Sequence, residues 1–211
     1  MVNCKRINCK FYLSLNPMET TALIIQNVSV HINLNEKEKE FFISLLEPLT
    51  LKRKQLLLTQ GEVCRHSTFV NSGCLRGYMY DRNAMEHVVS FAPEGWWIGD
   101  MYSLISQKPG IQYIEAIEET TVLRLSKDSQ ELLYRKVPKF ERFFRILIEN
   151  SLVAYQQRLI DNLSLTAEER YLKLSKQLPS LINRLPLNQI ASYIGVTPQY
   201  FSKMRKRMLS Q

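Results

Sequence analysis

The apolar positions of this chain change their spacing twice, and each change predicts a different kind of element. From Asn35, the stretch NEKEKEFFISLLEP sets a residue of N-cap type before acidic residues and an apolar face of Phe41, Phe42, Leu45 and Leu46. It predicts a short helix ended by Pro48. The spacing then shortens to that of strands. KQLLLTQ, STFVNSG, CLRGYMYD, MEHVVSFAP, QYIEAIEE and TTVLRLS are rich in Val, Ile, Leu, Tyr and Phe and are separated by GE, NSG, DRN, PEG and KPG. Short strands with turn signals between them predict an antiparallel sandwich or jelly-roll-like β-roll over about residues 50 to 126.

From Pro138 the helical spacing returns, and PKFERFFRILIENSLVAYQQRLIDNL runs on without an internal Gly or Pro. Phe140, Phe143, Phe144, Leu147, Ile148, Leu152, Tyr155, Leu159 and Leu163 fall on more than one side of this helix. Two apolar stripes need two surfaces to bury them. The roll supplies one. The other is the same helix of a second subunit in a two-fold dimer, or else further parts of the same chain. Thr166 then stands three residues before Glu169 in the capping-box form, so a new helix starts there and continues through RYLKLSKQL to Pro179.

The last patterned stretch, LNQIASYIGVTPQYFSKMRKRM at 187–208, has its apolar residues at fixed offsets and its cations crowded at the end. Two short helices that cross must share a small core. Ile190, Ala191 and Ile194 form one face of the first, with Ala where the second approaches closely. Gly195 falls at the turn, where a positive φ suits Gly, and Val196 plugs it. Thr197 is an N-cap, and Pro198 takes the first helical position, where its missing N–H costs nothing. At about 100° per residue, Phe201, Met204 and Met208 share one side of the second helix. Gln199, Lys203 and Lys206 lie opposite, flanked by Ser202 and Arg207.

That face has the chemistry of a major-groove reader. Gln pairs bidentately with adenine and Lys donates to guanine, each good pair contributing about 1–3 kcal/mol of discrimination. Gln199, Ser202, Lys203 and Lys206 are the candidate base readers. Thr197, Tyr200, Arg207 and Arg184 are candidates for phosphate contacts, which set register without carrying sequence information. The plain alternative is a solvated, charged face on a terminal helix.

Charge supports the DNA reading. Of a net charge of +8, residues 151–211 carry nine Lys and Arg against three Asp and Glu, so the basicity sits in the C-terminal third. The length of 211 residues, 45% of them hydrophobic and 23% charged, suits one large or two modest globular domains. No apolar run approaches the roughly 18 residues needed to cross a bilayer. The N-terminal FYLSL is too short for a signal-peptide core, so a cytoplasmic protein is expected. Cysteines at 4, 9, 64 and 74 fit reduced thiols better than an iron–sulfur cluster, because no CxxC is present.

A metal-dependent enzyme of cupin type would need two or three converging His. His31, His66 and His87 are widely spaced and form no HxH pair. Neither GxSxG nor GxxxxGK[ST] appears, so no enzyme is expected. No cofactor or metal is expected.

The order of parts, an α+β arrangement of β-roll, long helix and C-terminal helix-turn-helix, resembles the Crp/Fnr family of bacterial transcription regulators. SLTAEERYLKL and RLPLNQIASYIGVTPQYFSKMRK carry the resemblance most specifically, and it is nearest to members from the Bacteroidetes. It implies a homodimer joined through the 138–164 helix, palindromic double-stranded DNA and RNA polymerase as partners, and a sensory roll. The expected parts are an N-terminal extension at 1–24 with Met18 as a second candidate start, the roll at 25–137, the dimer helix at 138–164, and the DNA-binding unit at 165–211.

Two departures accompany the resemblance. Cyclic-nucleotide-binding members hold the ribose with a Gly-Glu pair and the phosphate with an Arg. In the corresponding IGDMYSLISQKPGIQYIEA, Gly99 is kept, Asp100 replaces the Glu, and Gly110 or Ile111 stands where the Arg would fall. A buried phosphate without its cation is disfavoured, so cyclic AMP is not the expected ligand. Trp96, Trp97, Tyr102 and Tyr113 near this segment either line an effector pocket with Gly99 and Asp100 or belong to the roll core. The short connection from Pro179 to Leu187 leaves room for a reduced wing or none.

Overall fold

The computed structural model describes residues 17–209. Cys4 and Cys9 lie outside the described residues. Two helices open the fold: α1 (Pro17–Ser29) and α2 (Glu36–Ser44). The start of α2 is a reciprocal cap, in which the Glu38 N–H donates to Asn35 Oδ1 at 2.9 Å and the Asn35 N–H donates to Glu38 Oε2 at 2.8 Å. The expected N-terminal extension ends inside α1. Ile24 and Val28 of this helix are fully buried with Phe69, Leu125 and Phe140, so apolar burial makes α1 part of the folded body.

The strands are β1 (Leu46–Leu51), β2 (Leu56–Leu58), β3 (His66–Ser72), β4 (Leu75–Tyr80), β5 (Glu86–Ala92), β6 (Trp97–Ile98), β7 (Tyr113–Ala116) and β8 (Thr120–Ser126). Helix α3 (Met101–Ser106) lies between β6 and β7. Pro48 does not stop a helix. It sits in β1 opposite Leu123, on the edge of its sheet, where a residue without an N–H costs no ladder bond.

The strands form two four-stranded antiparallel sheets, ordered β1-β8-β3-β6 and β2-β7-β4-β5. Leu58, Val70, Leu75, Ile114 and Val122 from both sheets fill the space between them. This is the predicted roll. Cys64 and Cys74 are buried free thiols, and burial pushes that of Cys74 up to about 12.

Five helices follow: α4 (Lys127–Lys136), the long α5 (Lys139–Ser164), α6 (Ala167–Gln177), then α7 (Leu187–Tyr193) and α8 (Pro198–Leu209). Phe140, Phe143 and Phe144 at the start of α5 are buried against α1, α2 and the β1-β8-β3-β6 sheet. Trp97 meets Phe69, Phe143 and Phe144 edge-on at 5.3, 6.1 and 5.5 Å between ring centres, which joins roll to helix. Beyond that anchor, the second apolar stripe stays largely exposed among the described residues. Ile148, Leu152, Tyr155, Leu159 and Leu163 are between 45% and 81% exposed. No described helix is long and apolar enough to cross a membrane.

Candidate nucleic-acid interface

The two helices α7 and α8 and the turn between them are built by local rules. Gly195 adopts φ +75°, the left-handed region that a side chain disfavours. The Val196 N–H donates to Ala191 O at 3.0 Å, closing the turn. Thr197 Oγ1 accepts from the Tyr200 N–H at 3.2 Å, and Pro198 begins α8. Ile190, Ala191, Ile194, Phe201 and Met204 are buried together with Leu174 of α6, and Phe201 meets the Tyr171 ring edge-on at 5.2 Å. The segment between α6 and α7 consists of turns whose Leu178, Leu181 and Leu185 enter the same core. Among the described residues no strand follows β8, so nothing forms a wing.

Gln199, Ser202, Lys203 and Lys206 are all exposed, on the side of α8 away from Phe201 and Met204. Ser202 has one limitation. Its hydroxyl donates back to Pro198 O at 2.9 Å, so toward a base edge it acts as an acceptor. Thr197 and Tyr200 are exposed at the amino end of α8, with Tyr200 at 50%. Arg207 forms an ion pair with Glu168 of α6. A pair that exposed is worth about 0–1 kcal/mol, so a phosphate can compete for the guanidinium.

Arg184, expected at a phosphate, is engaged by carboxylates within the chain. Its guanidinium is held by Glu94, with Nη2 at 2.7 Å from Oε1, and by Glu118, both carboxylates belonging to the roll. These hydrogen bonds raise the Arg184 pKa further above its already high value. Burial would raise the Glu94 pKa, but hydrogen bonds from Arg184 and the Gly73 N–H outweigh it and leave the carboxyl lowered. A carboxyl lowered on folding stabilises above its unfolded pKa, about 4.3, and loses that contribution as pH falls through the folded value. The clamp is therefore intact at neutral pH and releases only in acid.

The same seam has further ties that sequence reasoning did not find. Ser192 of α7 donates to Glu86 O at 2.8 Å and accepts from the Val88 N–H at 2.9 Å, both on β5. Arg158 of α5 donates to Val88 O, Val89 O and Tyr193 O, and its guanidinium lies 4.0 Å from the centre of the Tyr193 ring. Phe91 packs on Tyr193, and Cys74, Tyr78, Val88 and Ile117 of the roll share one core with Leu181, Ile190 and Phe201. Nothing local marks Arg158 or Ser192 in the sequence, because their partners lie 35 to 106 residues away.

The aromatic residues expected near the effector segment do not converge. Trp97 is committed to α5 and donates its indole N–H to Asn27 Oδ1 at 3.1 Å. Tyr113 stacks on Tyr78 at 5.2 Å in the other sheet, while Trp96 and Tyr102 are 49% and 51% exposed. Gly99 instead borders a cavity of about 430 Å³ with Leu58, Cys64, His66, Thr68 and Arg124. Asp100 is fully buried, and backbone groups occupy its carboxylate. Oδ1 accepts from the Ser103 N–H at 3.1 Å, and Oδ2 accepts from the Ile111 and Gln112 N–H groups at 2.8 and 3.2 Å. A Cβ at Gly110 would lie 2.8 Å from Asp100 Oδ2, so this knot needs Gly. The residues present do not fit a cyclic nucleotide: the acid organises its own loop, and Arg76 is spent on Glu86 and Glu115.

The comparisons agree with the architecture. Residues 48–136 match the family model of the cyclic nucleotide-binding domain. Over about four-fifths of its length the chain shares the fold of solved Crp/Fnr regulators. A protein from Eubacterium rectale assigned to the Crp/Fnr family of transcriptional regulators is 14% identical, with 84% of each chain covered and a TM-score of 0.65. FixK2 from Bradyrhizobium japonicum is 16% identical over 79% of this chain and 85% of its own, with a TM-score of 0.70. The c-di-GMP-responsive global regulator CLP of Xanthomonas campestris is 12% identical over 83% and 92%, with a TM-score of 0.68. No curated protein sequence matches the chain.

Proposed function

We propose that this chain is a sequence-specific DNA-binding transcription regulator, acting as a homodimer on palindromic promoter sites, with a roll that does not take cyclic AMP. The observation that carries this is α8. Its apolar side is locked into a three-helix core, and the opposite side presents Gln199, Ser202, Lys203 and Lys206 to solvent. Thr197, Tyr200 and Arg207 hold phosphates beside them. The uncovered stripe of α5 supports pairing with a second copy, which sets two reading heads about 34–36 Å apart, one turn of DNA. RNA polymerase as a partner rests on the resemblance to Crp/Fnr regulators.

Selection of fragmented genomic DNA by the purified protein at moderate salt tests the proposal. A retained palindrome with half-sites one turn apart is the expected result. Retention without any shared site would reduce α8 to a basic surface and favour a role in protein contacts.

Three variants separate the roles of the side chains. Gln199→Ala relaxes preference at one or two base positions, by about 1–3 kcal/mol. Arg207→Ala weakens all sequences alike and reduces the slope of log affinity against log salt by about 1. Arg184→Gln leaves that slope unchanged, because its charge is spent on Glu94 and Glu118. Binding titrations across salt concentrations decide between them; identical behaviour of Gln199→Ala and Arg207→Ala would sink the assignment of base readers.

A further inference from the structure

Where the roll meets the DNA-binding unit there is a cleft of about 220 Å³. Arg53, Lys54, Glu115 and Ile117 line it from the roll, and Pro186, Asn188 and Gln189 line it from the start of α7. Gln189 is only 8% exposed, and its Oε1 is buried without a hydrogen-bond partner among the described residues. A buried amide oxygen left unpaired is unfavourable, and a donor entering the cleft removes that cost.

The backbone that carries the cations is held in place, and so is the carboxylate. Lys54 stands at φ +66°, and its N–H donates to Ala116 O at 2.7 Å. The Ala116 N–H in turn donates to Gln55 O at 3.0 Å, so the turn carrying both cations is stitched to β7. On the same strand, Glu115 has its Oε2 3.3 Å from the Tyr78 hydroxyl and its Oε1 3.5 Å from Arg76. The cleft therefore offers two exposed cations, one carboxylate, one unpaired amide oxygen and an apolar wall of Ile117 and Pro186.

We infer that this cleft is a ligand site for a free α-amino acid of small or medium size. Such a molecule has a carboxylate for Arg53 and Lys54, an ammonium for Gln189 Oε1 and Glu115, and a side chain for Ile117 and Pro186. Neither a simple anion nor a simple cation uses all of these groups. An occupant would touch the roll and α7 at once, and so would bear on how the reading head is held.

The test is calorimetric titration of the full chain, without DNA, with each of the common L-amino acids in turn. At least one is expected to bind, with one molecule per chain. Its N-acetyl derivative, lacking the ammonium, and its amide, lacking the carboxylate, are expected to bind at least tenfold more weakly. Gln189→Leu should abolish binding while the chain stays folded, since it removes an unpaired polar atom and keeps the bulk. Arg53→Ala, on an exposed turn, should weaken binding about tenfold. Absence of binding across the set, equal binding of propionate, or unchanged binding to Gln189→Leu would each overturn the site. Because no DNA is present, failure here leaves the DNA-reading proposal untouched.

Discussion

A chain carrying Leu152→Asp together with Leu159→Asp is expected to sediment as a monomer at micromolar concentration and to lose the palindromic-site binding proposed above. The two leucines are 66% and 61% exposed in the single chain, so the change leaves the fold of the protomer alone. The stripe they belong to, Ile148, Leu152, Tyr155, Leu159 and Leu163, steps by four, three, four and four residues, of which the first three have the heptad spacing of a coiled-coil seam. Carboxylates facing each other across such a seam are buried without partners, which a dimer of this size does not tolerate. With one reading head per molecule, affinity drops toward the non-specific level, a loss of about 10³-fold or more. Sedimentation and DNA titration read the two effects separately. A double variant that remains dimeric would show that α5 is not the interface.

Phe201→Ala has the largest expected effect on stability. The ring is fully buried in the three-helix core beneath the reading face. Removing a buried phenylalanine costs about 3–5 kcal/mol, set against a total stability of about 5–15 kcal/mol. For a chain of this length that lowers the melting temperature by about 10 °C. The core containing Phe201 also contains Cys74, Tyr78, Val88 and Phe91 of the roll, so the melting curve is expected to move as one transition. A loss below about 1 kcal/mol would mean that α8 is not seated as described.

What the sequence disclosed depended on how far each side chain's partner lay along the chain. The caps of α2 and α6 close over three residues; Thr166 with Glu169 was legible as a capping box, and Asn35 as an N-cap before acidic residues. Gly195, Thr197 and Pro198 report backbone geometry at their own positions, so the turn and the start of α8 were legible too. Helices α1, α3 and α4 escaped the pattern. In α4, Leu133 is the one buried residue of ten, too little for a periodic signal. Trp97 was visible as an aromatic residue, but its destination against Phe143 and Phe144 depends on the packing of α5 across the sheet. Arg184 looked like a phosphate ligand because its composition and neighbourhood are basic; its carboxylates lie 66 and 90 residues earlier.

Ser192 gives α7 a second role, one that Arg158 of α5 shares. Strand β5 is the last of its sheet, with β4 on one side and no strand on the other. The hydroxyl of Ser192 and the guanidinium of Arg158 occupy Glu86 O, Val88 N–H, Val88 O and Val89 O, standing in for a missing strand. A displacement of α7 from the roll would bare Glu86 O and the Val88 N–H, and a bare strand edge recruits other chains. Such a displacement would be self-limiting, because the backbone groups it exposes favour pairing with other chains.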